Sequence, residues 1–212
     1  LLPQVGPTMQ LNAAMDKLDD AVLMLEAFAG QTMEGMTREK GWRFLDLGRR
    51  MERASALGML LRFGLEYVDP MEGSKLEAVL EIANSLMTYR SRYMAGVEAA
   101  PVLDLLLADE TNPRSLTYQI AAMADHVDQL TTEPRTAVRT SEQRIILAIL
   151  TEMRLAEIAA IATPDESGGR SALRTLLDHC DTKLHDLNVS LTRTYLSHAR
   201  RTHHVVDLGV ET

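Results

Sequence analysis

The residues whose types could do chemistry fall into three short stretches of the 212-residue chain. The first is Asp46, Arg49, Glu52 and Arg53, in a run that begins Gly41-Trp42-Arg43-Phe44-Leu45. The second is Tyr89-Arg90-Ser91-Arg92, and the third is Asn112-Pro113-Arg114, just after Asp109-Glu110. A carboxylate such as Glu52 is a candidate general acid or base. Arginines such as Arg49, Arg53 and Arg90 suit an anionic substrate, because a guanidinium pairs bidentately with carboxylate or phosphate. The common signatures of nucleotide, zinc and serine chemistry do not occur: the chain has no glycine-rich phosphate loop, no His-Glu-x-x-His and no Gly-x-Ser-x-Gly. Asp181 and His185 stand four apart and offer half a metal site without a second pair. Asp104, Asp109 and Glu110 lack the glycine-turn loop of a calcium site. Neither a metal nor another cofactor is expected.

The helix that must position the first stretch runs from about Gly41 to Leu61 and beyond. At about 100° per residue, Trp42, Leu45, Arg49, Glu52, Ala56, Met59 and Phe63 share one stripe. Arg53 and Asp46 lie beside it, and a second apolar arc holds Phe44, Leu47, Met51 and Gly58. Apolar residues nearly all round predict a helix central to its bundle. Charges within such a helix must be paired, since an isolated buried charge is very costly. Two readings follow. Glu52 and the arginines are an ion-pair network locking helices together, or they are a polar site cut into the bundle. Arg90, at an apolar register of its own helix, is the proposed cross-helix partner of Glu52, with Arg49 or Arg53 the alternatives. Tyr89 and Tyr93 flank Arg90, and arginines stacked on tyrosine are the other reading of that tetrad.

Composition narrows the class. Aromatic residues make up only 4% of the chain while Leu, Ala, Met, Glu and Arg are plentiful, which is a helical composition. The net charge of −8 argues against nucleic acid as the main partner, because phosphate contacts need clustered Lys and Arg. No apolar run approaches the length that spans a bilayer, so no membrane partner is expected. The single cysteine, Cys180, excludes an internal disulfide and fits a reducing, cytoplasmic setting. It falls on the apolar stripe of its helix, where a packed thiol is expected rather than a nucleophile.

In chain order, an extended lead-in over residues 1–8 precedes a helix from Met9 to about Gly30. Thr37 is a candidate cap for the central helix, and residues 64–74 form a loop. A third helix runs from about Ser74 to Tyr93, and a short one from Val102 to Ala108 after Pro101. Asn112 and Pro113 read as the cap and first residue of a helix to Leu130. A polar linker over residues 131–139 leads to a capping box, Thr140 to Gln143. The helix after it carries Ile146, Leu150, Met153, Ile158 and Ile161. Residues 163–170 read as a flexible loop, and the last helix runs from about Ser171 to His198, with residues 199–212 a tail. No period-2 run of useful length occurs. The predicted fold is an all-α bundle of five to six mostly antiparallel helices forming one domain over residues 1–212.

Three stretches together resemble a known family. They are Gly41-Trp42-Arg43-Phe44-Leu45-Asp46-Leu47-Gly48-Arg49-Arg50-Met51-Glu52-Arg53-Ala54, then Met87-Thr88-Tyr89-Arg90-Ser91-Arg92-Tyr93, then Val102 to Ser115 with Ala108-Asp109-Glu110-Thr111-Asn112-Pro113-Arg114-Ser115. Leu191-Thr192-Arg193-Thr194-Tyr195-Leu196 continues the match. The pattern resembles the bacterial alpha-E domain family, predicted helical proteins named for a Glu-Arg motif. Members of that family occur beside, or fused to, circularly permuted ATP-grasp proteins and transglutaminase-like proteins. The resemblance thus implies a part in peptide or amide ligation, with those proteins as partners. The family's domain usually opens with an earlier helix bearing its own Trp, Arg and Glu-Arg pattern. This chain lacks that helix, so a bare face and a possible homo-oligomer are expected. The resulting expectation is a non-catalytic helical module that docks or positions a ligase. The alternative is an enzyme, or half of one, with Glu52 as acid/base and arginines holding an anionic substrate.

Overall fold

The computed structural model describes residues 11–68, 70–94, 96–130 and 138–197. The lead-in over residues 1–8, most of the 131–139 linker and the 199–212 tail lie outside them. Every regular element among the described residues is helical, and the lone β-bridge, Tyr67 to Gly169, belongs to no strand. The chain divides into two compact units, one ending at Asp46 and one starting at Leu47.

In the first unit, α1 (Leu11–Gly35) continues past Gly30, where the sequence reading ends it. Leu11, Met15, Leu18, Val22, Leu25 and Phe28 keep their helical spacing on α1 but are exposed. The next helix, α2 (Lys40–Leu65), crosses the boundary between the units. Its first backbone bond runs from the Arg43 amide to the Glu39 carbonyl at 3.1 Å, which puts the cap position at Glu39 rather than Thr37.

Within the second unit the buried side of α2 is Leu47, Ala54, Leu57, Leu61, Gly64 and Leu65. This corrects the stripe expected from the sequence: at 100° per residue the buried arc lies about 150° round the helix from it. Met59 and Phe63, taken as core, are exposed, Phe63 by 89%. Both arcs of α2 are apolar, so hydropathy alone does not choose between them. Close packing does choose: a Cβ at Gly64 would sit 2.3 Å from Val79 Cγ2, so only a glycine admits this approach of the next helix.

That next helix, read as one element from Ser74 to Tyr93, is two: α3 (Glu72–Ile82) and α4 (Leu86–Arg92). Asn84 breaks them with φ of 49°, a left-handed conformation that asparagine tolerates better than most residues. By contrast, α5 (Ala99–Leu103) runs directly into a π-helical turn, Asp104–Ala108, while residues 155–157 separate α7 (Ser141–Arg154) from α8 (Ile158–Ala162). The described residues therefore hold more and shorter helices than the five to six expected. With α6 (Leu116–Leu130) and α9 (Ser171–Leu191), which ends in a second π turn at Thr192–Leu196, the element order is complete.

Side-chain ties give the directions. Gln143 at the start of α7 donates to Asp128 near the end of α6, while Arg154 at the end of α7 meets Glu110, before α6 begins. Glu142 at the start of α7 bonds Ser190 near the end of α9. So α7 runs antiparallel to both α6 and α9, and it packs on both. The capping box of α7 is present as expected, with the Gln143 amide donating to Thr140 Oγ1 at 3.3 Å and the reciprocal bond at 3.0 Å.

The segment read as a flexible loop, residues 163–170, is organised by two charges. Asp165 accepts from the Ser167 hydroxyl and from the amides of Ser167 and Gly169, and Gly168 takes φ of 76°. Arg170, 3% exposed, donates to the Ala162 carbonyl at 2.6 Å, the Leu65 carbonyl at 2.8 Å and Glu72 at 2.6 Å. One guanidinium thus joins the ends of α2 and α8 to the start of α3. Replacing it strands two carbonyls and a carboxylate. We expect Arg170→Met to cost about 3 kcal/mol in urea unfolding, and Glu72→Gln about 1 kcal/mol, since water reaches Glu72. An unchanged midpoint for Arg170→Met would show that the clamp contributes nothing.

Candidate functional site

The π turn generates the site's geometry. Leu105, Leu106 and Leu107 are consecutive and all fully buried. A π turn, with its i→i+5 bonds, spaces successive side chains more closely in angle than an α-helix does, so three neighbours share one buried arc. The turn closes with the Asp109 amide on the Asp104 carbonyl at 3.0 Å. It leaves carbonyls with no helical partner, and the following residues supply donors. Asn112 Nδ2 donates to the Leu105 carbonyl at 2.9 Å, and Thr117 Oγ1 to that of Leu107 at 2.6 Å. Ser115 Oγ donates to the Asp109 carbonyl at 2.5 Å.

The same hydroxyl of Ser115 accepts from the Tyr118 amide at 3.1 Å, so Ser115 is the N-cap of α6. Asn112 and Pro113 do not open that helix, as the sequence had suggested. Asn112 Oδ1 instead accepts from the Arg114 amide at 3.0 Å in a turn before it. Gln119, 2% exposed, donates from Nε2 to the Pro113 carbonyl at 2.5 Å and accepts at Oε1 from Arg50 at 3.3 Å. The Arg50 guanidinium also lies 5.6 Å from the centre of the Tyr118 ring. Arg114 therefore rides on a turn whose backbone is held at both neighbouring residues.

Above that turn is a cavity of about 250 Å³. Arg114, Pro113 and Gln119 form one side, Arg53, Ala56, Leu57 and Leu60 of α2 the second, and Ile82 and Ala83 the third. Two of the residues singled out from sequence, Arg53 and Arg114, meet here. The others do not. Glu52 is exposed, does not line this cavity, and makes no hydrogen bond or ion pair among the described residues. The expected Glu52–arginine pair is thus absent from the described residues, because Glu52 lies on the outward arc of α2. Arg49 is half-buried. In the first unit, Asp46 is buried and Trp42 is half-buried, with the Arg38 guanidinium 4.4 Å above its ring centre.

The second stretch is tied up locally. Arg90 pairs with Glu77 at 3.5 Å rather than with Glu52, and both are exposed. Tyr89 is fully buried; its hydroxyl donates to the Gly96 carbonyl at 3.0 Å and accepts from the Glu98 amide at 3.2 Å. Its ring packs 5.0 Å from that of Tyr93, whose hydroxyl bonds Asp104. Burial and the Asp104 carboxylate push the Tyr93 phenol up to about 12. Arg92 pairs with Asp109. Burial alone would raise the Asp109 carboxyl, but hydrogen bonds from Thr111 and Arg92 hold it below its ordinary value. Glu110 is likewise lowered, chiefly by its bidentate pair with Arg154 at 2.7 Å.

Three charged residues escaped the sequence reading: Arg50, Glu142 and Arg170. Each had a signal. Arg50 continues the Ala54–Leu57–Leu61 stripe, and Glu142 continues Ile146–Ile149–Met153. Arg170 directly precedes an apolar helix after paired glycines. Glu142, 4% exposed, accepts from Ser190 at 2.8 Å and Thr194 at 2.6 Å. Its burial opposes ionisation, yet those hydroxyls and the local backbone lower its pKa. Burial, with Asp181 and Glu152 nearby, lifts the Cys180 thiol to about 12, so it is no nucleophile near neutral pH. No group of three His, Cys, Asp or Glu among the described residues could hold a metal ion. No helix among them is long and apolar enough to cross a membrane.

The model of a predicted α-helical domain with a conserved Glu-Arg motif, named Alpha-E, matches residues 4–196. The chain belongs to the Alpha-E family. Glu52-Arg53 is the only Glu-Arg dipeptide in the sequence, so the motif falls on α2, with Arg53 at the cavity and Glu52 turned away from it. An uncharacterised protein of Mycobacterium tuberculosis (strain H37Rv) is similar, 30% identical over 178 residues. So is one of Mycobacterium bovis, at the same identity and length. The matched segment is 83% of this chain but 20% of each relative, so the chain spans about a fifth of the length of the curated relatives it matches. No solved structure matches the chain.

Two outcomes test the site's electrostatics. Asp109, Glu110 and Glu142 have lowered folded pKa values, and Asp165 is lowered to about 2. The unfolded chain binds protons at these groups first as pH falls. Stability should therefore hold down to the ordinary carboxylate range and decline below it, towards about pH 2. Glu142→Gln should flatten that acid limb in pH-dependent urea unfolding; a limb of unchanged slope would contradict it. By contrast, Glu52→Gln should leave the unfolding free energy within about 0.5 kcal/mol of the parent, as for other exposed positions. A larger loss would mean that Glu52 is paired and buried after all.

Proposed function

We propose that this chain is a non-catalytic helical module that docks on and positions a partner of the ATP-grasp class in peptide or amide ligation, alongside transglutaminase-like proteins. The observation that carries the reading is the outward face of α2, where Met59 and Phe63 are 65% and 89% exposed. Such side chains are uncovered on an arc that a helix normally buries, and an uncovered apolar face tends to be an interaction surface. α1 supports the same reading, with Leu18, Val22, Leu25 and Phe28 exposed along its length.

The polar motif residues point the same way. Arg92, Asp109, Glu110 and Asn112 are spent on hydrogen bonds and ion pairs that hold the fold. No nucleophile stands beside a general base in the site described above. The mycobacterial relatives agree with a modular role, since the similar segment is a fifth of each much longer chain. Self-association through the same faces is the competing use of the exposed stripes.

Light scattering on mixtures of the purified chain with the purified ATP-grasp protein of the same organism tests this. The expected result is a complex heavier than either component that is lost in Phe63→Asp. Separate elution of the two proteins at tens of micromolar, or a homodimer of this chain that excludes the ATP-grasp protein, would reject the docking role.

A further inference from the structure

We propose that the cavity between α2, the end of α3 and the turn at Pro113–Arg114 binds the carboxylate of a small apolar acid. The docking role above does not bear on this: the inference comes from the cavity alone. The cavity is where two separate motifs converge. The Glu-Arg motif of α2 supplies Arg53, and the Asn-Pro-Arg-Ser run supplies Arg114, 61 residues later in the chain.

Charge is the first argument. The chain carries a net charge of −8, yet this cavity is lined by two arginines and by no carboxylate. A cationic pocket on an acidic protein concentrates anions locally against the overall field. The Arg114 guanidinium makes no hydrogen bond or ion pair among the described residues, although the chain has more acids than bases to offer it.

Preorganisation is the second. The amide of Arg114 is fixed by Asn112 Oδ1, and the carbonyl of its neighbour Pro113 by Gln119 Nε2. Gln119 is itself buried and fixed by Arg50. A chain of buried polar groups thus ends on one exposed arginine. Holding a binding residue on a rigid turn lowers the entropy lost when a ligand arrives.

Shape and lining select the ligand. At about 250 Å³ the cavity is just below the range of about 300–1,000 Å³ usual for drug-sized ligands. A nucleotide is too large, and a group the size of one amino-acid side chain fits. Leu57, Leu60, Ile82 and Ala83 offer an apolar wall to its body. The lining includes no glycine, so the backbone cradle typical of phosphate sites is not built here. A carboxylate held by arginine, with a short apolar body behind it, satisfies both halves of the cavity. The same chemistry is presented by a peptide's C-terminal residue and by a free branched-chain acid.

Isothermal titration of the full chain separates these sources and tests the site. The probes are N-acetyl-L-leucine, 4-methylpentanoate, N-acetyl-L-leucine amide and inorganic phosphate. The expected result is millimolar or tighter binding of at least one acid, no binding of the amide, and at least a tenfold loss of affinity in Arg114→Gln with an unchanged melt. Tighter binding of N-acetyl-L-leucine identifies a peptide C-terminus as the source, and tighter binding of 4-methylpentanoate a free acid. Arg53→Gln is the second variant and should weaken the same acid. The proposal is overturned if neither acid binds, if the amide binds as well as the acid, if phosphate binds better than both acids, or if Arg114→Gln retains full affinity.

Discussion

The second unit is built around backbone carbonyls that cannot be left alone. Leu105, Leu106 and Leu107 are buried in sequence on the π turn, where the carbonyls of Leu105 and Leu107 take side-chain donors. An unpaired buried polar group costs on the order of 1–3 kcal/mol. The chain answers with small polar residues: Asn112 and Thr117 donate to the Leu105 and Leu107 carbonyls, and Ser115 to the Asp109 carbonyl just after the turn. The run that reads from sequence as a chemical motif is therefore first a solution to a hydrogen-bonding problem. Its second consequence is positional: the turn that pairs the carbonyls also sets Arg114 at the cavity.

The same economy governs the other charges. Arg170 gathers the ends of α2 and α8 with Glu72, and Glu142 joins the start of α7 to the end of α9. These are buried charges with several hydrogen bonds each, the condition under which burial is tolerated. Arg62 with Asp178 and Arg174 with Glu66 bring α9 to the last part of α2. Such exposed pairs add little stability individually. Beyond these ties, Arg53 and Arg114 line one cavity, and apolar side chains are exposed on α1 and on α2.

Much of the architecture was legible in the residues. The helical periodicity gave an all-α fold, Thr140 to Gln143 announced the start of α7, and Cys180 fell on a core stripe. The errors have physical causes. On α2 two arcs are apolar, and the aromatic side chains Trp42 and Phe63 drew the stripe to the wrong one. The deciding fact was the absent side chain at Gly64, visible only when Val79 is beside it. Breaks at Asn84 and after Arg154 were hidden because the apolar period continues through them. Arg90 and Glu52 were paired on register alone, while Arg90 has Glu77 on the adjoining α3. Of the residues proposed from sequence, Arg53 and Arg114 reach the cavity; Gln119, which also lines it, and Arg50, which donates to Gln119, were missed because the two lie 69 residues apart in the chain.

The central claim is that residues 109–119 form a fixed, hydrogen-bonded turn rather than a loop. Amide hydrogen exchange followed by NMR reads it directly. The amides of Asp109, Arg114, Ser115 and Tyr118 each have an acceptor, on Asp104, Asn112, Asn112 and Ser115 in turn. The account predicts that these four exchange as slowly as the interior amides of α6, and that Asn112→Ala releases them together. Exchange at the rate of an unstructured peptide in the parent chain would contradict it.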